Sequence, residues 1–368
     1  IEGFASDGNC NSTTAGTAPN MSGGGSGSSC PTISNEATAA TTIGPSYKDP
    51  LFSAYPNSVA YPSITTLWNT TTGANANWPT EAWSGLDLYK NTLVPGWKNS
   101  LVAASLKWGR LVRLKLGATG ATTAPTNTVG DTISYFNCQN RFRDMAFSPD
   151  GKDIYVIMDN SSTTSGPGNL NPVVPQCAGC VQKYTFLGYA DVSGKSSIPA
   201  SIDVTAGTPN ACTTGTTITI DNENSNYWVP ITGPDGNVMA EIYANGNTLG
   251  TVTSSFYTNS GTVRMAGGTK YLDRNMTITP QFQPSSTVKI RLYMSKAEFD
   301  ALDADPLSGV TAITDLKILK NTDPCSSSLS NTTTLINPTF AEAHGTGGYV
   351  LQGNINSFSS FYFASSNI

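Results

Sequence analysis

Arg141 and Arg143 stand two residues apart in the string Asn140-Arg141-Phe142-Arg143-Asp144. On a β-strand, residues i and i+2 share a face. Two guanidiniums on one face repel unless an anion or carboxylates lie between them, and their planar forks match carboxylates. Lys107 ends the apolar stretch Ser100 to Leu106, which places its charge at a sheet edge or a cavity mouth. Trp78 and Trp83 offer flat apolar surface on which a planar ring can stack. Together these residues suit a flat, acidic, aromatic ligand. From spacing alone a plainer arrangement competes: Arg141 pairs with Asp144 or another acid, and Lys107 is merely solvated.

The elements that must position these groups read as antiparallel β-structure. Ser100 to Leu106 is a short apolar strand, followed by a tight turn at Lys107-Trp108-Gly109-Arg110. Val112, Leu114 and Leu116 alternate with Arg113 and Lys115, the period of a half-buried strand. Asp131 to Phe136 is a weaker strand. Met145-Ala146-Phe147 leads into Ser148-Pro149-Asp150-Gly151, a hairpin turn with Asp-Gly at its tip, and Ile154 to Met158 returns. Val181 to Leu187 closes the region. Repeated four-strand units of this kind are the pattern of propeller blades. Residues 1–75 are loop-like, rich in Thr, Ser, Gly, Asn and Pro.

Residues 191–205 read as a linker and residues 206–368 as a second β-rich unit. Its strands are expected at Thr217 to Ile220, Val238 to Tyr243, Thr248 to Phe256, Met276 to Phe282 and Thr287 to Met294. Asn245-Gly246 signals a hairpin. The one helix expected is Ser295 to Ala304, with Ser295 as cap and Glu298 completing a capping box. The fold class is therefore all-β: a partial β-propeller, its last blades, over 1–190, followed by an antiparallel β-sandwich domain over 206–368.

Composition narrows the function. The chain has 368 residues, 20 basic and 25 acidic, so 12% are charged and the net charge is −5. An acidic balance without a basic cluster excludes a nucleic-acid partner. Apolar runs are too short to span a bilayer. The polar, uncharged surface suits work outside the cell. Of seven cysteines, Cys10 and Cys30 bracket a Gly/Ser loop, Cys212 and Cys325 bracket most of the second half, and Cys177 and Cys180 form a C-x-x-C. No second ligand pair accompanies that C-x-x-C, so a local disulfide is the simpler reading than zinc. Cys138 is the odd thiol, either unbridged or paired outside the chain. The single histidine, His344, is expected as a surface residue of a flexible loop. Ile1 opens no leader sequence, and the chain is expected to begin inside a longer gene product.

Two strings carry a resemblance. Gly96-Trp97-Lys98-Asn99-Ser100-Leu101 with Ser105-Leu106-Lys107-Trp108-Gly109-Arg110, and Asn140-Arg141-Phe142-Arg143-Asp144 with Ser148-Pro149-Asp150-Gly151, resemble the soluble pyrroloquinoline quinone (PQQ) sugar dehydrogenases. That glucose/sorbosone dehydrogenase family is a six-bladed propeller, and residues of about 45–190 resemble its last blades. The resemblance implies that Lys107 contacts the quinone cofactor, Arg141 and Arg143 hold its carboxylates, and Trp78 lies beside cofactor and sugar, with Thr80 a neighbour. It also implies hydride transfer from the sugar to PQQ, a histidine base and a calcium ion. The family's base and calcium loop fall in earlier blades. No catalytic and no metal-binding residue is therefore assigned in this chain, and an upstream propeller segment is an expected partner.

The second unit resembles a β-sandwich module of large secreted Bacteroidota proteins, on the strings Tyr227-Trp228-Val229-Pro230-Ile231, Glu241-Ile242-Tyr243-Ala244-Asn245-Gly246-Asn247, Tyr271-Leu272-Asp273-Arg274-Asn275 and Arg291-Leu292-Tyr293. That resemblance implies export by the type IX secretion system, with its machinery as a partner, and an extracellular or cell-surface location. Asp273 and Arg274 are expected to form a salt bridge or turn, and Glu241 and Asp235 are weak calcium candidates. Asp131-Thr132-Ile133 fits a bacterial O-glycosylation pattern, while the Asn-x-Ser/Thr sites at Asn11, Asn69, Asn160, Asn275 and Asn331 need eukaryotic machinery and are read as carrying no function here. Two functions follow. One is the C-terminal part of a secreted PQQ-dependent aldose dehydrogenase. The other is an adhesion, glycan-binding or cargo protein without redox activity.

Overall fold

Cross-strand apolar alternation organises the first half of the chain into two antiparallel meanders. The computed structural model describes residues 44–46, 51, 81–124, 134–159, 167, 179–191, 198, 200–205, 211–258, 263–330 and 333–366. The first sheet runs β1 (Trp83–Tyr89), β2 (Ser100–Ser105), β3 (Arg110–Lys115) and β4 (Ser134–Tyr135), each beside the last. The second runs β5 (Arg141–Phe147), β6 (Asp153–Asp159) and β7 (Val181–Thr185) in the same manner. The Asp150-Gly151 turn joins β5 to β6 as the sequence predicts.

The two sheets stack face to face. Val102, Ala104 and Leu111 of the first pack with Phe142, Met145, Val156 and Met158 of the second in one buried cluster. β1 and β5 lie alongside each other and run the same way. The Ser84 hydroxyl donates to the Phe142 carbonyl at 2.6 Å, the Phe147 N–H donates to Asp87 Oδ2 at 3.2 Å, and the Tyr89 hydroxyl donates to the Gly151 carbonyl at 3.1 Å. Stacked meanders with side-by-side first strands are the relation between neighbouring propeller blades.

The outer face of the first sheet is apolar, and that of the second is mixed, with Asp153, Asp159 and Lys183 among its apolar residues. On the first, the cross-strand rows Leu86–Ala103–Val112 and Leu88–Leu101–Leu114 form a continuous apolar surface, with Leu86 62% exposed. On the second, Tyr155, Ile157 and Val181 are exposed.

The second half is a sandwich. One sheet has the strands Trp228–Thr232, Val238–Tyr243, Val288–Ser295, Gly348–Ile355 and Phe340–His344 in that spatial order. The other, of nine strands among the described residues, is built around Gly250–Thr258, Arg274–Pro280 and Ser360–Ala364. Their inner faces share one large core, including Ile231, Ile242, Phe256, Ile278, Ile290, Leu292, Phe361 and Phe363. The helix α1 (Lys296–Asp303) begins at Ser295, whose hydroxyl accepts from the Glu298 N–H while Glu298 reaches back to the Ser295 N–H. The capping box forms as expected. Cys212 and Cys325 are bridged across 113 residues, and Cys180 is also in a disulfide.

Several sequence expectations are corrected. The Asn245-Gly246 turn does not close a hairpin: Val238–Tyr243 and Gly250–Thr258 lie in different sheets, so the turn carries the chain across the sandwich. His344 is not a surface loop residue. It ends a strand, is 8% exposed, contacts the Ala200 carbonyl through Nε2 at 2.7 Å and meets the Tyr293 ring edge-on. Asp273 and Arg274 do not pair with each other. Asp273 meets Arg264 at 3.5 Å and Arg274 meets Glu298 at 3.0 Å. Glu241 is fully buried, bonded by the Tyr293 hydroxyl at 2.5 Å and facing Arg291 at 3.4 Å, which leaves it no route to calcium. Cys138 lies buried inside the first core and forms no disulfide among the described residues, the first of the two alternatives read from the sequence. Asn275 is fully buried, in line with reading no glycan there.

The described residues of 191–205 are packed. Asp191 accepts from Trp228 Nε1 at 2.9 Å and from Lys289 at 2.8 Å, and Ile198, Ala200 and Ile202 lie in a buried cluster with Tyr293 and Val350. Cys10, Cys30, Cys177, residues 131–133, Asn11, Asn69, Asn160 and Asn331 lie outside the described residues.

Candidate functional site

The strand that reads Ser100–Ser105 delivers the chain to a turn over 106–109, and this turn is held from two sides. On one side the chain just before β1 ties it down. The Leu106 N–H donates to the Ala82 carbonyl at 3.1 Å, the Lys107 N–H to the Glu81 carbonyl at 3.2 Å, and the Ser105 hydroxyl to the same Glu81 carbonyl at 2.9 Å. On the other side lies the segment entering β5. The Cys138 N–H donates to the Gly109 carbonyl at 2.8 Å. Gly109 has φ +56°, and a Cβ there would collide with the carbonyl oxygens of Cys138 and Asn140. Glycine is thus required for the lysine turn to dock beside the arginine strand. That docking brings Lys107, Arg141 and Arg143 to one end of the stacked sheets.

Lys107 is 6% exposed, with its ammonium 5.1 Å from the centre of the Trp108 ring. Burial lowers its pKa from the usual lysine value, and the nearby Glu81 charge opposes that shift. Glu81 is itself buried and forms a forked ion pair with Arg110, Nε to Oε2 at 3.2 Å and Nη2 to Oε1. Sequence reasoning missed Glu81. The available signal was a lone acid between Thr80 and Ala82, next to the tryptophans already singled out.

Arg141 and Arg143 do share a face, and an acid does lie between them. It is Asp159 rather than Asp144. Arg141 donates through Nε to Asp159 Oδ1 at 2.8 Å and through Nη2 to Oδ2 at 3.1 Å, while Arg143 donates through Nε to Oδ2 at 2.5 Å. The register explains the partner: Asp159 lies directly opposite Arg141 across the β5–β6 ladder. A bulge between Phe142 and Asp144 turns Asp144 away, and its carboxylate accepts from its neighbour Met145 N–H at 2.9 Å. Burial pushes the Asp159 carboxyl up, and the hydrogen bonds from Arg143 and Arg141 outweigh it, leaving the pKa below the usual carboxylate range. The Arg143 side chain stays 43% exposed.

Among the described residues, the ion pairs of this end join Arg110 to Glu81 and both Arg141 and Arg143 to Asp159, and the Glu81 charge also acts on Lys107. Arg143, with exposed donors, and Lys107, largely withdrawn from water at the same end of the sheets, are cations of the kind that pair with a compact polycarboxylate. PQQ is such a group, and the donor set fits it. Trp78 and Thr80 lie outside the described residues. Among the described residues no three His, Cys, Asp or Glu side chains converge as a metal site. His344 belongs to the sandwich and is no part of this end.

Comparison with known proteins falls on this same stretch. Residues 59–165 match the glucose/sorbosone dehydrogenase family. The quinoprotein glucose dehydrogenase B of Acinetobacter calcoaceticus is 36% identical over 106 residues, covering 25% of this chain and 21% of that protein. The chain thus spans about a fifth of the length of this curated relative. Lys107, Arg110, Arg141, Arg143, Asp159 and Glu81 all fall inside the matched residues, and the sandwich lies wholly outside them.

Proposed function

We propose that this chain is part of a secreted, PQQ-dependent dehydrogenase that oxidises an aldose, and that its first half, residues 1–190, supplies two neighbouring blades of a propeller. The observation that carries the reading is the cation end itself. Lys107, Arg141 and Arg143 are brought together by two stacked meanders, within the stretch that matches the family. PQQ, when bound, accepts the hydride that a sugar loses at its anomeric carbon. The protein's own share is placement. Arg143 offers exposed donors to a ligand carboxylate, and Arg141, forked onto Asp159, adds its positive charge beside them. Lys107, short of solvent, presents a concentrated positive charge to a ligand oxygen. Glu81 fixes Arg110 and tempers the lysine.

The base histidine and the calcium ligands come from upstream propeller blades in this reading. The apolar rows on β1–β3 support that, because in a propeller each blade face is covered by its neighbour. The disulfide Cys212–Cys325 supports an oxidising, extracellular setting. No helix is long and apolar enough to cross a membrane among the described residues. The sandwich over 206–368, with 191–205 strapped onto it, is read as an appended module of type IX secretion cargo.

The test is an aldose oxidation assay on the protein carrying its upstream residues, with PQQ, calcium and an artificial electron acceptor. Activity that depends on added PQQ and falls at least tenfold in Arg141→Ala or Arg143→Ala supports the reading. A well-folded protein that binds no PQQ overturns it and leaves the adhesion or cargo reading.

A further inference from the structure

We propose that the groove at the seam between the blades and the sandwich binds a neutral oligosaccharide. The groove has a volume of about 360 Å³ and is walled by the loop after β1, the β5–β6 turn, the chain leaving β7, and the sandwich residues 216–219 and 229–230. That volume lies in the range of small-molecule sites, which favour seams between domains.

The groove is preformed because the seam is held by several hydrogen bonds. The Gly96 N–H donates to the Gly236 carbonyl at 2.8 Å, the Thr232 hydroxyl donates to the Thr92 carbonyl at 2.5 Å, and the Thr92 and Thr216 hydroxyls meet at 2.6 Å. Rigid walls remove much of the ordering cost of binding.

The lining selects the ligand. Half-buried Leu93 and Leu187 form an apolar floor over the buried Ile218 and Val229, and Phe186, held edge-on by Tyr189 at 5.6 Å, forms an aromatic wall. The exposed Thr217 and Thr219, two apart on the same face, and the Asn91 amide supply hydrogen-bonding groups at the rim. Two charges line it, Asp150 and Lys152, and they cancel. Asp150 stays ionised, since the Ser148 hydroxyl at 2.5 Å and the Lys152 N–H at 3.0 Å both donate to it. An apolar floor, an aromatic wall, a hydroxyl-rich rim and no net charge match a pyranose ring, which is apolar on its C–H face and polar around its edge.

This groove is separate from the cation end. β5 starts at Arg141 and ends at Phe147 beside the groove, so seven extended residues, about 20 Å, part the two. A carbohydrate chain held in the groove lies on the far end of the blades from the arginines.

Cellotriose, maltotriose and the anionic control trigalacturonate are titrated into the 368-residue chain, with backbone amide shifts as the readout. The expected result is saturable binding of a neutral trisaccharide, with a dissociation constant on the order of 1 mM. The shifts should centre on Thr217, Thr219 and Asn91. The double variant Thr217→Val with Thr219→Val, at exposed positions, should weaken binding at least tenfold with an unchanged melting temperature. Arg143→Ala should leave it unaltered while weakening quinone binding about tenfold in the protein carrying its upstream residues, so the two readings fail separately. No saturable shift with either neutral sugar, tighter binding of trigalacturonate, or shifts centred away from the groove would each overturn the proposal.

Discussion

Asp203 and Asp235 hold their carboxyl groups against each other in the turn through which the sandwich meets the blades. Asp203 is fully buried, its Oδ2 accepts from the Asp235 N–H at 3.2 Å, and the same turn offers the Gly236 carbonyl to Gly96 and the Pro234 carbonyl to Lys98. Burial first, and then Asp203, push the Asp235 carboxyl up to about 7. Such a group keeps its proton in the folded chain at pH values where the unfolded chain has lost it.

The consequence for stability has a definite sign. The contribution is complete below about pH 4, the unfolded value, and is lost as pH rises toward 7. Urea-unfolding midpoints should therefore fall between about pH 5 and pH 8. Asp235→Asn should flatten that fall without abolishing it. Glu241, pushed up to about 7 by burial against the pull of Arg291, adds a slope of the same sign. Equal slopes in the wild type and the variant would show that the pair does not share a proton.

Asp159 acts as a built-in counter-charge for the two arginines. Asp159→Asn removes one of the two acids at that end and should tighten PQQ binding about tenfold, the size of one charge-assisted hydrogen bond. Arg143→Ala should act in the opposite direction by a similar factor. Fluorescence titration of the protein with its upstream residues reads both, and changes of the same sign in the two variants contradict the arrangement.

Lys107 titrates below an ordinary lysine because it is buried, and Glu81 holds it up. Glu81→Gln removes the supporting charge, so the Lys107 pKa should drop further. An NMR titration of ¹³C-labelled lysine resolves this. An unmoved Lys107 would mean that the two charges are not coupled.

The disulfide Cys212–Cys325 closes a loop of 113 residues. Chain-entropy arguments assign a loop of that length about 4 to 5 kcal/mol, with native-state effects able to reduce it. Replacing both cysteines by alanine should lower the unfolding free energy of the sandwich by about 2 to 5 kcal/mol, measured by denaturant titration. A change below about 1 kcal/mol would show that the unfolded loop is already restricted.

What could be read ahead of the structure was local. Val238 to Tyr243 forms as written, because apolar residues within a few positions settle it. The Ser295–Glu298 box and the Asp150-Gly151 turn are likewise contained in four residues. The features missed depend on distant chain. Asp159 meets Arg141 only through the β5–β6 register, and the bulge that turns Asp144 aside has no composition of its own. Asn245-Gly246 reads as a hairpin because it is a turn, and only the sheet assignments of its flanking strands show otherwise. His344 is buried by Ala200, 144 residues before it. Half of the site was legible for the same reason: the three cations stand out by type and spacing, while their counter-charges Glu81 and Asp159 come from elsewhere.

The position of the groove and the sandwich at one end of β5, and of Lys107 and the arginines at the other, gives the molecule a front and a back. Whatever grips the sandwich side, a carbohydrate polymer or a cell surface, leaves the cation end facing the surrounding medium. Small diffusing partners can then come and go at the front while the back stays engaged, and neither traffic obstructs the other.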